Sequence, residues 1–327
     1  MNQLVSVDAA AQLIRGGAAL CIAGREAALD RLPAGRWIGG TIPYFMLPEG
    51  GTVVADDRVF VADLGAIGSV SVTHVGADAL ADISARAPDN GFAYTILPAG
   101  SAAHARFAAE AASYPDAFLR PAVGWIAGVH LDDLGRVRPK VYDGRSATKH
   151  DDGAVVAHVS LRADQLATLE IVNLFEPDDG DVLTFDTTTF QPGSCRVNGE
   201  ATSFAAYVAA RGLAGGRVPL VGDFAGAHIN VSLQRVDTER DVVDLYAPVF
   251  PGVEYRFARP IGDYAGAFRR RLADVDPQGV VLGCNCVLNF MHGQLEGHAI
   301  GGIGGPVTFG EIAYQLLNQT MVMVRVG

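Results

Sequence analysis

The stretch Ile303-Gly304-Gly305-Pro306-Val307-Thr308-Phe309-Gly310-Glu311-Ile312 lies between two apolar runs, VVLGCNC (280–286) and LLNQTMVMVRV (316–326). It has a counterpart near the other end of the chain. There ALCIAG (19–24) leads through a helix-like stretch into Trp37-Ile38-Gly39-Gly40-Thr41-Ile42-Pro43-Tyr44-Phe45 and then into TVVADDRVFVADL (52–64). Each copy reads as a short apolar strand, a crossover, a glycine-rich turn carrying an aromatic, and a closing apolar strand. Unbroken apolar strands belong inside sheets covered on both faces. The repeat therefore predicts an α/β protein of two related β-rich halves with pseudo-twofold duplication, built of layered mixed sheets with helices. A cleft between such halves is where a small ligand is expected.

Working outward, Val7 to Ile14 has helical spacing, with Asp8 as the expected cap and Gly16-Gly17 as the stop. The alanine-rich segments 77–87 and 101–113 predict helices flanking the strand 92–98. This alternation of strand and helix suits a layered α/β arrangement. Further on, short β-like runs at 125–129, 154–161, 171–175 and 182–190 are broken by Asp-Gly and Pro-Gly turns. A helix at 203–210, a turn-plus-strand element at 218–237, strands at 242–246 and 253–257 and a helix at 262–274 complete the reading. The boundary falls between 150 and 215, which gives halves of 1–210 and 211–327.

A chain of 327 residues accommodates two domains or one large two-lobed one. With 49% hydrophobic and 19% charged residues it can build an extensive core. A net charge of −11 opposes attraction to nucleic-acid phosphates. The one basic run, Arg269-Arg270-Arg271, reads as the solvated C-terminal end of a helix. No apolar run reaches the length of about 20 residues that a bilayer requires, and the N-terminus has no secretory pattern, so neither a membrane nor a nucleic-acid partner is expected and the location expected is cytoplasmic. The four cysteines, Cys21, Cys195, Cys284 and Cys286, are too sparse for a disulfide scaffold. Dinucleotide-binding glycine motifs, phosphate loops, nucleophile elbows and metalloprotease helices are missing from the sequence.

Val218 to Val326 resembles the C-terminal half of FIST domains. The resemblance is carried by Pro219-Leu220-Val221-Gly222-Asp223, a tyrosine-bearing strand, Gly283-Cys284-Asn285-Cys286, Thr308-Phe309-Gly310-Glu311-Ile312, and Asn318-Gln319-Thr320. The segment Trp37 to Phe45 looks like the matching glycine turn of the FIST N-terminal half. FIST domains are regarded as intracellular sensory modules that bind small molecules such as amino acids and are coupled elsewhere to kinases or cyclic-nucleotide enzymes. One branch is associated with haem and nitric oxide. The resemblance implies a sensor with a ligand cleft, here without an attached output domain and so signalling through a separate protein.

The residue types at the glycine turns fit a small polar organic ligand. Glu311, Thr308, Asn285, His228 and Thr41 are expected to orient it, while Trp37 and Phe309 supply apolar contact. Tyr44 accompanies Thr41 in the first turn, and Asp223, His228 and Asn230 form a third glycine-rich loop. Glycine lets backbone amides approach a ligand or adopt positive φ, although the same pattern also makes a tight strand connection with a capping glutamate. Cys284 and Cys286 point to one side of a strand, where core packing leads and a cleft-facing thiol follows. No metal is expected. Two alternatives stand beside sensing: a hydrolase or lyase acting on a small carbonyl or acyl compound with His228 or His292 as general base, and a haem-binding gas sensor.

Overall fold

A computed structural model describes residues 2–327. The chain opens with β1 (Asn2–Ser6), α1 (Val7–Arg15), β2 (Leu20–Gly24), α2 (Glu26–Leu29), β3 (Trp37–Thr41), β4 (Tyr44–Leu47), β5 (Gly50–Val53) and β6 (Arg58–Asp63). It continues through β7 (Ser69–Val75), α3 (Asp82–Ala85), β8 (Gly91–Pro98), α4 (Ala102–Glu110), β9 (Ala122–Ala127), β10 (Val141–Asp143), β11 (Thr148–His150), β12 (Ala154–Ser160) and β13 (Ala167–Asn173). The middle holds β14 (Leu183–Thr184), β15 (Ser194–Val197), β16 (Glu200–Ser203), α5 (Phe204–Ala210), β17 (Leu220–Phe224), β18 (Ala227–Val231), β19 (Leu233–Asp237), β20 (Val242–Leu245) and β21 (Glu254–Phe257). The last stretch is α6 (Tyr264–Ala273), β22 (Val280–Cys286), α7 (Val287–His292), β23 (Gly305–Thr308), β24 (Glu311–Ala313), β25 (Gln315–Leu317) and β26 (Thr320–Val326). Strand outweighs helix, 40% to 18%, so layered mixed sheets are the framework and the helices cover them.

Two of these sheets repeat one another. One has the order β1-β6-β2-β3-β10-β11 and the other β13-β26-β22-β23-β4-β5. In the first, β2 runs parallel to β3 and antiparallel to β6; in the second, β22 runs parallel to β23 and antiparallel to β26. Helix α1 leads into β2 as α6 leads into β22, and α2 and α7 begin the two crossovers. The duplication read from the two ends of the sequence is thus a duplication of topology. One exchange links the copies: hairpin β4-β5, which follows β3 in the chain, extends the other copy's sheet by pairing Phe45 with Pro306 and Met46 with Gly305. A third sheet, β25-β24-β9-β8-β12-β7, packs on strands of both.

Contacts divide the chain into two compact units. The first comprises 1–172, 268–316 and 320–327, the second 173–267 and 317–319. The sequence pattern predicts a single boundary, at 210. The long middle stretch instead leaves the second copy of the repeat after β13 and rejoins it in α6.

The first unit's core explains its local sequence. Val7, Ala10 and Ile14 of α1 pack with Leu20 and Ile22 of β2, Val59 and Val61 of β6, Trp37 and Tyr142 in one buried cluster, each large side chain contributing about 1.5–3 kcal/mol by leaving water. Ser6, not Asp8, caps α1: its backbone is extended (φ −68°, ψ 154°) and its hydroxyl accepts the Ala9 N–H at 3.2 Å. The chain passes from β1 straight into the helix, so the extended last strand residue takes the cap and Asp8 moves into the first turn, favourably placed for the helix dipole. Ser6→Ala is expected to lower unfolding free energy by about 1 kcal/mol in urea titrations, with a smaller loss for Asp8→Ala. Between Gly76 and Pro88 the expected single helix is a 3₁₀ turn at Ala77–Ala79 and the short α3, which has no side-chain cap.

In the second unit the sheet order is β16-β15-β14-β21-β17-β18, beside the ribbon β19-β20. Phe185 meets Phe204 and Tyr255 edge to face, with centroids 5.2 and 5.4 Å apart, the geometry aromatic quadrupoles prefer. Among the described residues no helix is long and apolar enough to cross a membrane.

Candidate functional site

The two glycine turns of the first unit meet at the end of β9. Gly128 N–H donates to Thr41 O at 2.8 Å, Ile126 N–H donates to Gly310 O at 2.8 Å, and Phe309 N–H donates to Ile126 O at 3.0 Å. The turn glycines are occupied by protein at this junction. A Cβ on Gly40 would stand 2.7 Å from the Trp125 ring, one on Gly128 2.3 Å from the Phe309 ring, and one on Gly305 2.0 Å from Gly283 O. Close strand packing, not approach to a ligand, is what these positions demand.

Behind the second turn lies a fully buried polar network. Glu311 has no exposed surface. Its Oε1 accepts from Thr308 Oγ1 at 3.1 Å and its Oε2 accepts from Thr320 Oγ1 at 2.8 Å and Thr320 N–H at 3.4 Å, and the Cys286 thiol also reaches it. Burial pushes the carboxyl up to about 8, the hydroxyl, thiol and amide donors offsetting only part of that rise. Beside it, Asn289 Nδ2 donates to Asn285 Oδ1 at 2.9 Å and to Thr320 O at 3.0 Å. Thr308, Asn285 and Glu311 are therefore joined in one hydrogen-bonded group, which Thr320, from the last strand, completes.

The other anticipated residues of the first unit are engaged in the fold. Trp37 is buried, stacks on Tyr142 at 6.0 Å and donates Nε1–H to Pro33 O at 2.9 Å. Thr41 Oγ1 accepts the Lys140 N–H at 2.9 Å. Tyr44 stacks on His130 and tilts against Phe290, and its hydroxyl accepts the Leu131 N–H at 2.9 Å. Cys284 is buried, donates to Gly124 O at 3.5 Å, and is held far above the usual thiol range by burial, with the Glu311 and Cys286 charges adding to it; such a thiol is a poor nucleophile. His292 ends α7, partly exposed, and among the described residues no group of three or more His, Cys, Asp or Glu is placed to hold a metal.

The second unit brings the third loop together differently. Register pairs Asp223 with His228 and Glu254, and Val221 with Asn230 and Arg256, so these six side chains occupy one sheet face. Asn230 is buried in a network with Asn173 and Asn318. Asp223 Oδ1 accepts the Gly226 N–H at 2.6 Å, closing a hairpin in which Ala225 and Gly226 both have positive φ. His228 alone of the three lines an open cleft of about 610 Å³, together with Arg256, Arg259 and the loop Glu176 to Asp179. That loop is fixed from both sides. Arg259 Nη2 donates to both Asp179 oxygens at 3.1 Å and its Nε to Pro177 O at 3.2 Å, Arg256 Nη1 donates to Gly180 O, and Asp178 Oδ1 accepts the Gly180 N–H at 2.9 Å. In the sequence Glu176 to Gly180 is turn punctuation and the arginines carry no signal: a charge within or just after a short strand and a Pro-Asp-Asp-Gly run look the same in a cleft as on a solvated surface.

Residues 5–327 match the family described as a family of unknown function (DUF6976), and the chain belongs to that family. A search of curated proteins finds no match to it.

Proposed function

We propose that this chain is a small-molecule-binding protein that takes a zwitterion of amino-acid type in the cleft of its second unit, and that it serves as a cytoplasmic sensor of FIST-like kind acting on a separate signalling protein. The carrying observation is that one cleft presents guanidinium groups and carboxylates together around His228. Arg256 spends one donor on the loop and offers its remaining fork to a carboxylate, which a planar guanidinium grips with two parallel bonds. Glu176 and Asp178 line the same cleft and can take an ammonium group, and His228 supplies a ring nitrogen for a side-chain polar atom. The FIST resemblance at residues 218–326 agrees with this ligand class. A sensor must also prefer one conformation when occupied, so binding should shift hydrogen-exchange protection beyond the cleft.

The test is a thermal-shift survey of the free amino acids followed by calorimetry on those that stabilise the protein. Arg256→Ala should weaken the best binder by about tenfold or more, and Asp178→Asn by a similar factor. The reading fails if no amino acid binds saturably, or if Arg256→Ala leaves affinity unchanged.

A further inference from the structure

The first unit carries a second cavity of different chemistry. It has a volume of about 500 Å³, and its charged lining consists of Arg36 and Arg162, with Ser69 and Gln165 as the polar remainder and the Gly65–Gly68 loop as its floor. No acidic residue lines it. In a chain with 36 Asp and Glu against 25 Lys and Arg, a hollow whose own lining holds two arginines, with Asp164 paired to Arg162 beside it, is more cationic than the chain as a whole and favours anions.

The walls are fixed by bonds that leave the arginine heads available. Asp63 Oδ1 accepts the Ala66 N–H at 3.1 Å, and the Ile67 and Gly68 N–H groups donate to Leu64 O, so the glycine loop is a closed turn. Across the cavity, Asn90 Nδ2 donates to Arg162 O at 2.8 Å and Gln165 O at 3.1 Å, pinning that loop. Arg36 donates Nη2 to Gly17 O at 2.9 Å, and Arg162 donates Nε to Asp164 at 3.2 Å in an exposed pair that solvent weakens. Each guanidinium keeps donors for a guest.

A neighbouring cavity of about 280 Å³ shares Ala66, Ile67 and Gln165 with the first and is otherwise lined by Asn2, Asp63, Val280, Val281 and Val326. Its one acid, Asp63, is spent on the loop. The two hollows share a wall, the first carrying both arginines and the second bringing the apolar side chains of Val280, Val281 and Val326 beside Asn2, Asp63 and Gln165, and each is close to the size of small-molecule sites. We propose that this pair of hollows binds a small organic phosphate monoester, its dianionic head between Arg36 and Arg162 and its carbon body running past Ile67 toward Val280 and Val281. Two guanidinium groups match the two charges of the head.

The experiment is calorimetric titration of the full chain with n-butyl phosphate and, separately, inorganic phosphate. Butyl phosphate should bind saturably, about tenfold tighter than inorganic phosphate, and more weakly as salt is raised. Arg36→Ala and Arg162→Ala, at exposed positions and checked for folding by circular dichroism, should each cost about tenfold, and the double variant should abolish binding. Arg256→Ala, in the other unit, should change nothing, which separates this site from the zwitterion cleft. Absence of saturable binding, or a double variant that binds as well as the parent, overturns the proposal. Equal affinity for the two probes overturns the assignment of the apolar end.

Discussion

Replacing Glu311 by Gln is expected to make the stability of this protein markedly less sensitive to pH, with the variant the more stable of the two above pH 7. The unfolded carboxyl titrates near its ordinary value of 4.5, whereas the buried one titrates at about 8. Between those values the folded chain holds a proton that the unfolded chain has released, so unfolding becomes easier as pH rises. The full contribution is present below pH 4.5 and is lost as pH climbs to 8. One proton is worth about 1.4 kcal/mol per pH unit, so the wild-type chain should lose roughly 4 kcal/mol from this group between pH 5 and 8. The groups that meet the carboxyl among the described residues are the Thr308 and Thr320 hydroxyls, the Thr320 amide and the Cys286 thiol, with Cys284 close by, and none of them is a cation that would offset ionisation. A glutamine has the same shape, can accept from Thr320 and can donate to Thr308, and it has nothing to ionise. Urea titrations of both proteins at half-unit steps from pH 5 to 9 isolate the effect, because every other titrating group cancels in the difference. Parallel curves would show that Glu311 ionises without penalty and that its surroundings are wetter than this packing allows.

How far the sequence reached can be judged from particular elements. The runs 19–24, 37–45 and 52–64 and their partners at 280–286, 303–312 and 316–326 were legible because strand hydrophobicity is local, and the repeated order of β2, β3 and β6 as β22, β23 and β26 follows from it. The exchange of hairpin β4-β5 was not legible. Local pattern marks Tyr44 to Val53 as strand and turn, but the choice of β23 as partner depends on register across the whole chain. In the middle section Val182 to Phe190 reads as a strand and yields only Leu183–Thr184, since its neighbours Thr187 to Thr189 carry no alternation to bury. At the sites, residue type alone identified Glu311 and Thr308 as an unusual pair next to apolar strands, yet Thr320 joins them only through tertiary pairing. Of the arginines at the two proposed ligand sites, Arg36, Arg162 and Arg259 are exposed beside or between strands, where a charge needs no explanation, and Arg256 is half-buried within β21 but sits among charged neighbours in the sequence that mask it.

The glycines of the repeat decide how it is held together, and Gly305→Ala should show this with the largest loss of stability among single methyl additions there. A Cβ at Gly305 would sit 2.0 Å from Gly283 O and 2.8 Å from Gly283 C. Both are backbone atoms of the parallel neighbour β22, so no rotamer can relieve the clash and the strands must part near the Asn285–Val307 pairing. Overpacking of this kind costs roughly 3 kcal/mol or more, which in a chain of this size lowers Tm by about 4 °C or more. The first copy has the same device in milder form: Gly39 pairs directly with Ile22, and its Cβ would stand 2.7 Å from Ile22 O. Gly302 is the contrast, with φ at +81° and nothing within 4 Å, so an alanine there pays only the left-handed backbone penalty of about 1–2 kcal/mol. Calorimetric Tm values should therefore fall in the order Gly305→Ala, Gly39→Ala, Gly302→Ala. If Gly305→Ala melts like the parent, strand approach is not what requires glycine at this turn, and contact with a ligand returns as the reason for it.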